Sequence, residues 1–238
     1  MNALLLAAGF GTRLRPITNY LPKCLVTVGG KPLLSYWLET LFASQNIESV
    51  LINTHYLENQ VNEFVLNSKW KNRITLVYED ELLGTAGTVI KNKAFFDKKE
   101  FCVIHADNFS VFDFDDFLNA HNKRPKKCVM TMMTYLTDNP SSCGTLTLDS
   151  SGVVLRMDEK ISCNNHLANG AVYIFENTIF NLIENINVNI SDISTELINE
   201  VIGLIYTYPN YLYHKDIGTV SALAQANKDI VKLKRFIS

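Results

Sequence analysis

Two glycines and a run of permanent positive charge follow the first apolar segment: Gly9-Phe10-Gly11-Thr12-Arg13, then Arg15, then Pro22-Lys23. Glycine has no Cβ, so its backbone N–H can close on an anion. Arg13 presents a planar fork of donors to phosphate oxygens, and Lys23 adds a point charge. The combination suits a polyphosphate. Two familiar phosphate loops are excluded. A dinucleotide fingerprint needs a third glycine where Leu14 stands, and a P-loop needs a Gly-Lys-Ser/Thr step that is absent. A bare Gly-x-Gly would be a solvated turn; Arg13 and Pro22-Lys23 weigh against that. Other polar groups have plain readings when taken singly. Asp107-Asn108 reads as a cap or turn and Asp216 as a helix N-terminal acid. Glu159-Lys160 reads as a solvated pair, and Asn169-Gly170 as a tight turn.

Taken in order, these stretches resemble one family. Leu6-Ala7-Ala8-Gly9-Phe10-Gly11-Thr12-Arg13-Leu14 followed by Pro22-Lys23 is similar to the signature of the sugar-1-phosphate nucleotidylyltransferases. Leu83-Gly84-Thr85-Ala86-Gly87-Thr88 looks like that family's nucleotide-base loop, and His105-Ala106-Asp107-Asn108 stands at its Gly-Asp motif. Asp158-Glu159-Lys160 resembles its Glu-Lys-Pro motif, Asn169-Gly170-Ala171 its sugar-facing loop, and Lys215-Asp216-Ile217-Gly218-Thr219 its late Asp-x-Gly-Thr motif. Each motif is weak alone, but their order and spacing are specific and cover nearly the whole chain.

The resemblance implies a reaction in which a nucleoside triphosphate and a sugar 1-phosphate give a nucleotide sugar and pyrophosphate. It also implies roles. Leu6, Ala8, Gly9, Gly11, Thr12, Arg13, Gly84, Thr85, Gly87 and Asp107 are expected on the nucleotide, with Arg13 assisting departure of pyrophosphate. Lys23, Gly144, Glu159, Lys160, Asn169 and Gly170 are expected on the sugar phosphate. Arg13, Lys23, Asp107 and Lys160 form the expected catalytic set, and Asp107 and Asp216 the expected ligands of Mg2+. Magnesium favours few carboxylates plus phosphate oxygens.

These residues must be positioned by a scaffold, and its pattern is readable. Ala3–Ala7 reads as a fully buried strand, and Ser49–Asn53, Ile74–Tyr78 and Phe101–His105 as further short apolar strands. Between them, Leu33, Leu34, Trp37, Leu38, Leu41 and Phe42, then Val61, Phe64 and Val65, recur at helical spacing. The second half has closely spaced strand-like runs at Cys128–Thr134, Thr145–Leu148, Val153–Asp158 and Ala171–Phe175, broken by Asn139-Pro140 and Ser150-Ser151-Gly152. Asp192–Ile202 and Thr219–Lys232 read as helical. The expected fold is α/β: a single Rossmann-like nucleotidyltransferase domain over residues 1–238, with a mixed, mostly parallel sheet flanked by helices. Its nucleotide-binding part is expected over about 1–125 and its sugar-phosphate part over about 126–238. No left-handed β-helix domain is expected after Ser238, which sets the chain apart from the bifunctional acetyltransferase relatives.

Composition narrows the partners. A formal charge of −2 without a basic stripe argues against nucleic acid. No apolar run is long enough to span a bilayer. The N-terminal apolar run lacks the basic flank of a signal peptide. Cys24, Cys102, Cys128, Cys143 and Cys163 are odd in number and lack CxxC spacing, so reduced thiols and a cytoplasmic location are expected. The five histidines show no metal spacing, and structural or surface roles are expected for them.

Three positions depart from the family's pattern. Ala106 replaces a glycine, Ile161 a proline, and Cys24 a proline after Lys23. Ala106 is expected to narrow the approach of nucleotide or sugar, Ile161 puts the local loop shape in question, and Cys24 receives no chemistry.

The nucleobase is open. Ile52-Asn53-Thr54-His55-Tyr56, Leu83-Gly84-Thr85-Ala86-Gly87 and Asp192-Ile193-Ser194-Thr195-Glu196 look most like mannose-1-phosphate guanylyltransferase-type members, so GTP with mannose or heptose 1-phosphate is the first choice. UTP with a hexose or amino-sugar 1-phosphate is the alternative. Two other classes stay open: a non-catalytic nucleotide-sugar-binding paralogue, and a glycosyltransferase using Asp113-Phe114-Asp115. That stretch reads more simply as a helix start. The oligomeric state is also open, a homodimer included.

Overall fold

A computed structural model describes residues 1–96, 98–159, 165–186 and 190–236. The chain groups into two compact units, interleaved in sequence. One comprises Ala3–Leu82, His105–Asp113 and the chain from Leu212; the other comprises Met1–Asn2, Leu83–Ile104 and Phe114–Tyr211.

In the first unit, Asn2–Leu6, Val50–Thr54 and Ile74–Tyr78 pair in parallel, with Leu5 beside Ile52 and Ile52 beside Leu76. Parallel neighbours need crossovers, supplied by helices Leu33–Ala43 and Glu58–Leu66. Ala3, Leu4 and Leu5 are fully buried, which is why the first strand is apolar on both faces. Leu34, Trp37, Leu38 and Leu41 form the buried stripe of the first helix, and Trp37 Nε1 donates to the Asn108 carbonyl at 2.9 Å.

The feature that matters most for function is a small antiparallel ladder. Asn108–Val111 pairs with Tyr213–Asp216, and Asp216 lies opposite Asn108. Asp107, which immediately precedes Asn108, and the sequence-distant Asp216 are thus brought to one end of one ladder. Phe109, Val111 and Ile217 from this region pack with Leu14, Leu33 and the terminal helix residues Ala226, Ile230 and Leu233. Burial of each large apolar side chain contributes about 1.5–3 kcal/mol, so the ladder is anchored from below.

The second unit is mixed. Leu167–Phe175 runs antiparallel to Phe101–His105 and to Met130–Leu136, and Ile205–Pro209 runs parallel to Met130–Leu136. Gly144–Leu148 and Val154–Glu159 form a hairpin. Its turn is closed by Asp149, whose Oδ1 accepts from the Ser151 and Val153 amides at 2.8 and 2.9 Å. Helices Gly84–Lys91, Phe114–Asn122 and Ile179–Ile186 accompany these strands. The α/β class with a mixed sheet matches the expectation.

Several local readings change. Gly84–Thr88, expected as a loop, is the first part of helix Gly84–Lys91. Asn169-Gly170 is not a turn but lies within strand Leu167–Phe175, where the register shifts and Ala171 takes φ 53°. Asp216 ends a strand rather than starting a helix. The segment after Asp192 is one π-helical turn, Ile193–Leu197, leading into Ile198–Glu200. Phe114–Asn122 is a helix, so Asp113-Phe114-Asp115 is its start, as read. Among the described residues, no helix is long and apolar enough to cross a membrane.

Candidate active site

The first unit gathers four of the expected residues. Lys23 Nζ lies 2.6 Å from Asp107 Oδ2 and 3.5 Å from Asp216 Oδ1. Arg13 Nη2 lies 3.5 Å from Asp216 Oδ2. Lys23 is buried, whereas the Arg13 side chain is largely exposed. Lys23 opens a short 3₁₀ turn after Pro22, whose φ of −58° lets the chain turn immediately. Asp107 sits in the turn between strands Phe101–His105 and Asn108–Val111. Burial acts to raise the Asp107 carboxyl, but the Lys23 and His105 charges, with hydrogen bonds from Lys23 and the backbone, outweigh it and hold it below its usual range.

The loop before this cluster is built on one left-handed position. Gly11 takes φ 62°, and a Cβ there would meet Thr18 Cγ2 at 3.0 Å and Lys23 Cβ at 3.1 Å. Its carbonyl accepts from Thr18 Oγ1 at 2.8 Å and from the Leu14 amide at 2.9 Å. Thr12 begins the 3₁₀ turn Thr12–Leu14 that carries Arg13. Gly9 is different: a Cβ there would meet no protein atom within 4 Å, so internal packing does not demand glycine. Leu6 closes the first strand, where its carbonyl accepts the Ala106 amide at 3.1 Å, and Ala8 is buried. The next amide, Ala7, donates to Asn53 Oδ1 at 2.7 Å, and Asn53 Nδ2 donates to the buried Glu79 at 2.9 Å. Sequence reading gave Asn53 and Glu79 no such task.

Gly218 explains how Arg13 and Asp216 approach each other. A Cβ at Gly218 would lie 2.7 Å from Asp216 Oδ2 and 2.9 Å from Arg13 Nη1. Both atoms are ends of movable side chains, so Gly218→Ala is expected to fold normally while spreading the pair. A displacement of about 1 Å can cost up to about 10²-fold in rate. Pyrophosphate formation is therefore expected to fall roughly 10- to 100-fold without a change in unfolding midpoint. Unchanged turnover would show that this pair has no part in the reaction.

The second unit holds the other expected residues. Thr85 Oγ1 donates to Asp192 Oδ2 at 3.0 Å and accepts from the Ile193 amide at 2.7 Å. The Ala86 and Gly87 amides donate to the Ser191 carbonyl at 2.9 and 3.3 Å. The helix start and the Asp192–Glu196 stretch, read separately in the sequence, are therefore one assembly. Glu196 Oε2 accepts from the Ser191 amide at 2.6 Å and the Asp192 amide at 3.2 Å, in the manner of a capping box. These backbone hydrogen bonds hold the Glu196 carboxyl below its usual range. A depressed carboxylate adds stability that is complete above its unfolded value and is lost as pH falls through the folded one. The stability advantage of the wild type over Glu196→Ala is accordingly expected to be full at pH 7 and to shrink below about pH 4. Urea unfolding at a series of pH values measures it; a gap that widens in acid would refute the assignment.

Gly144 lies opposite Glu159 in the hairpin, and a Cβ on Gly144 would come within 2.7 Å of Glu159 Oε2. Asn169 is engaged on both sides of its amide: Nδ2 donates to Tyr173 Oη at 2.9 Å, and Oδ1 accepts from the Ala171 amide at 2.9 Å. Tyr173 is fully buried, and burial pushes its hydroxyl up to about 12. A Cβ on Gly170 would sit 2.9 Å from the Met133 carbonyl, so sheet packing alone demands glycine there. Lys160 and Ile161 lie outside the described residues, as does Cys163. Ala106 is fully buried, so its methyl is packed inside the protein. Cys24 is buried and its thiol is pushed up to about 12 by that burial, which makes it a poor nucleophile.

Residues 2–232 match the model of the nucleotidyl transferase family. The chain belongs to this family, and the resemblance to sugar-1-phosphate nucleotidylyltransferases carried by its motifs is a family relationship. It is 26% identical, over 98% of its length and 64% of the relative's, to a protein of Sulfolobus acidocaldarius assigned as a mannose-1-phosphate guanyltransferase. It is 30% identical to the bifunctional protein GlmU of Methanococcus aeolicus, over 98% of this chain and 55% of that one. It is also 30% identical to the glucose-1-phosphate thymidylyltransferase of Streptomyces antibioticus, over 98% and 67%. The chain thus spans roughly half to two thirds of the length of these curated relatives. Among solved structures, HddC from Yersinia pseudotuberculosis superposes with a TM-score of 0.79 at 22% identity, covering 96% of this chain and 99% of that one. A Bacillus anthracis protein assigned as a glucose-1-phosphate thymidylyltransferase superposes with a TM-score of 0.83 at 21% identity, over 96% and 94%. Both likenesses define the fold.

Proposed function

We propose that this chain transfers a nucleotidyl group from a nucleoside triphosphate to a sugar 1-phosphate. A phosphate oxygen of the sugar 1-phosphate forms a bond to the α-phosphorus. The bond from that phosphorus to the oxygen bridging it to the β-phosphorus breaks, and pyrophosphate leaves with the electron pair. Such reactions need positioning and charge neutralisation more than covalent help from the protein. The observation that carries the proposal is the convergence of Arg13, Lys23, Asp107 and Asp216 beside the Gly9–Thr12 loop.

In this reading Gly9, Gly11 and Thr12 approach the triphosphate with their backbone, next to Leu6 and Ala8. The space beside Gly9 is open, which leaves room for such an approach. Arg13 grips the departing pyrophosphate, and Lys23 neutralises the phosphates at the reacting centre. Asp107 and Asp216 both reach one ammonium group, so both can reach one cation, and a two-carboxylate set with oxygen donors fits Mg2+. When bound, that ion supplies neutralisation of phosphate charge. Gly84, Thr85 and Gly87 are assigned to the base, and Gly144, Glu159, Lys160, Asn169 and Gly170 to the sugar phosphate. The buried thiols Cys24, Cys102 and Cys128 fit the reducing cytoplasm.

The likeness to the Sulfolobus acidocaldarius protein favours GTP with mannose 1-phosphate or a related sugar. Base choice rests on one or two hydrogen bonds, and the relatives are of more than one kind. The test is pyrophosphate release with Mg2+, each nucleoside triphosphate and a panel of sugar 1-phosphates. Release is expected with GTP and mannose or heptose 1-phosphate. Release only with UTP or dTTP would move the substrate assignment. Tight nucleotide-sugar binding with no release from any pair would identify a non-catalytic binding protein. Glycosyl transfer to an acceptor without pyrophosphate would identify a glycosyltransferase.

A further inference from the structure

We propose that Glu100, His121 and Glu176 form a binding site for a transition-metal ion such as Zn2+, separate in its residues from the proposed active site. One ligand atom from each of the three lies within 4.8 Å of the other two. Glu100 immediately precedes strand Phe101–His105, His121 is in helix Phe114–Asn122, and Glu176 immediately follows strand Leu167–Phe175. Three elements therefore deliver one ligand each.

The histidine is the informative member. Its side chain is completely buried, and its Nε2 has no hydrogen-bond partner among the described residues. A buried polar atom left unpaired costs about 1–3 kcal/mol, so this nitrogen calls for a ligand. It points at two carboxylates, 3.7 Å from Glu100 Oε2 and 3.9 Å from Glu176 Oε1. A neutral imidazole with a free lone pair is the form that binds metals.

The surroundings have the form of a metal site's outer shell. His121 Nδ1 shares a hydrogen bond of 2.8 Å with Thr131 Oγ1. With the proton on Nδ1, the lone pair is fixed on Nε2, and such partners orient metal-bound histidines. Arg124 donates to Glu176 Oε1 through Nη2, to the His121 carbonyl through Nη1 at 2.6 Å, and to the Cys128 carbonyl through Nε at 2.9 Å. A carboxylate oxygen carries two lone pairs, so Glu176 Oε1, which faces both groups, can keep Arg124 on one and offer the other to an ion. Glu100 and Glu176 are each about one third exposed, which leaves an ion a way in.

Geometry and donor type then select the ion. A tetrahedral shell at zinc distances separates ligand atoms by about 3.3–3.4 Å. The 3.7 and 3.9 Å separations from Nε2 need a few tenths of an ångström of side-chain closure, and the two carboxylate oxygens start within 4.8 Å of each other. One imidazole with two carboxylates suits zinc or a neighbouring first-row metal rather than Mg2+. Three protein ligands leave a fourth position for water.

The test does not depend on the proposed enzymatic reaction. The full chain carrying Asp107→Asn and Asp216→Asn, which removes the other acidic pair, is titrated calorimetrically with ZnCl2 in excess Mg2+. One zinc per chain is expected. Glu100→Gln is expected to weaken binding at least about tenfold, and the isosteric Thr131→Val about 10- to 100-fold. Cobalt(II) loading should give visible d–d bands that vanish in Glu100→Gln. Circular dichroism checks that both variants fold. No zinc uptake, or uptake with affinity and cobalt spectrum unchanged in Glu100→Gln, would overturn the proposal and leave the trio as a structural polar cluster.

Discussion

Replacing Asp107 by asparagine is expected to reduce pyrophosphate formation by at least about 10²–10³-fold, the loss seen when one preorganised electrostatic group leaves a reacting centre. The substitution keeps the shape of the side chain and an oxygen that can accept from Lys23, now 2.6 Å away. What it removes is the charge. Two anionic substrates must meet beside Lys23, and the proposed cation would be left with Asp216 alone. Packing is not at stake, because Asp107 sits in a turn with over a third of its side chain exposed. The variant should therefore retain the circular dichroism spectrum and cooperative unfolding of the wild type. Asp107→Ala should lose activity to the same degree and be less stable, since it leaves the buried Lys23 with Asp216 only, at 3.5 Å. Near-normal turnover in Asp107→Asn would remove Asp107 from the reaction and with it the cation assignment.

The largest stability effect is expected at Gly84. Its φ is 76°, and a Cβ there would come 2.3 Å from the Ser191 carbonyl oxygen and 3.0 Å from its carbon. That oxygen is backbone and cannot swing aside. It also accepts the Ala86 and Gly87 amides, two of the first donors of a helix that otherwise lack partners. Gly84→Ala thus adds left-handed strain of about 1–2 kcal/mol and forces away the acceptor at the helix start. A total of about 2–4 kcal/mol is expected. Gly30→Ala provides the control, because Gly30 has φ 82° but open space around its missing Cβ. It should show the strain alone. Urea midpoints at constant m-value separate the two. Equal losses in the two variants would show that the Ser191 contact contributes nothing.

Side chains announce themselves in a sequence, whereas backbone groups do not. The strands Ile74–Tyr78 and Phe101–His105 were legible to the residue, because apolar runs bounded by polar residues have one simple reading; only the second of them is buried, the first being partly exposed. Arg13 and Lys23 were legible by type. Their meeting with Asp107 and Asp216 was not legible from pattern, and only the family resemblance suggested it. The reason is that Tyr213-His214-Lys215-Asp216 is short and polar and gains its strand character from a partner about a hundred residues away. The role of Ser191 was invisible because it acts through its carbonyl oxygen, which every residue possesses. Gly218 and Gly84 were quoted as motif members, yet only coordinates show which atoms a Cβ would strike. Glu100, His121 and Glu176 have no common spacing, so three elements had to be in place before they formed a group.

The ladder between Asn108–Val111 and Tyr213–Asp216 also constrains when the protein can become competent. Closing so long a loop is entropically costly and slow compared with forming local helices and hairpins. During synthesis, the parallel strands and the glycine loop emerge before the second carboxylate, which follows Asp107 by about a hundred residues. A nascent chain can therefore display the glycine loop before it can pair Asp107 with Asp216. Maturation of the acidic pair waits on the synthesis of everything between the two.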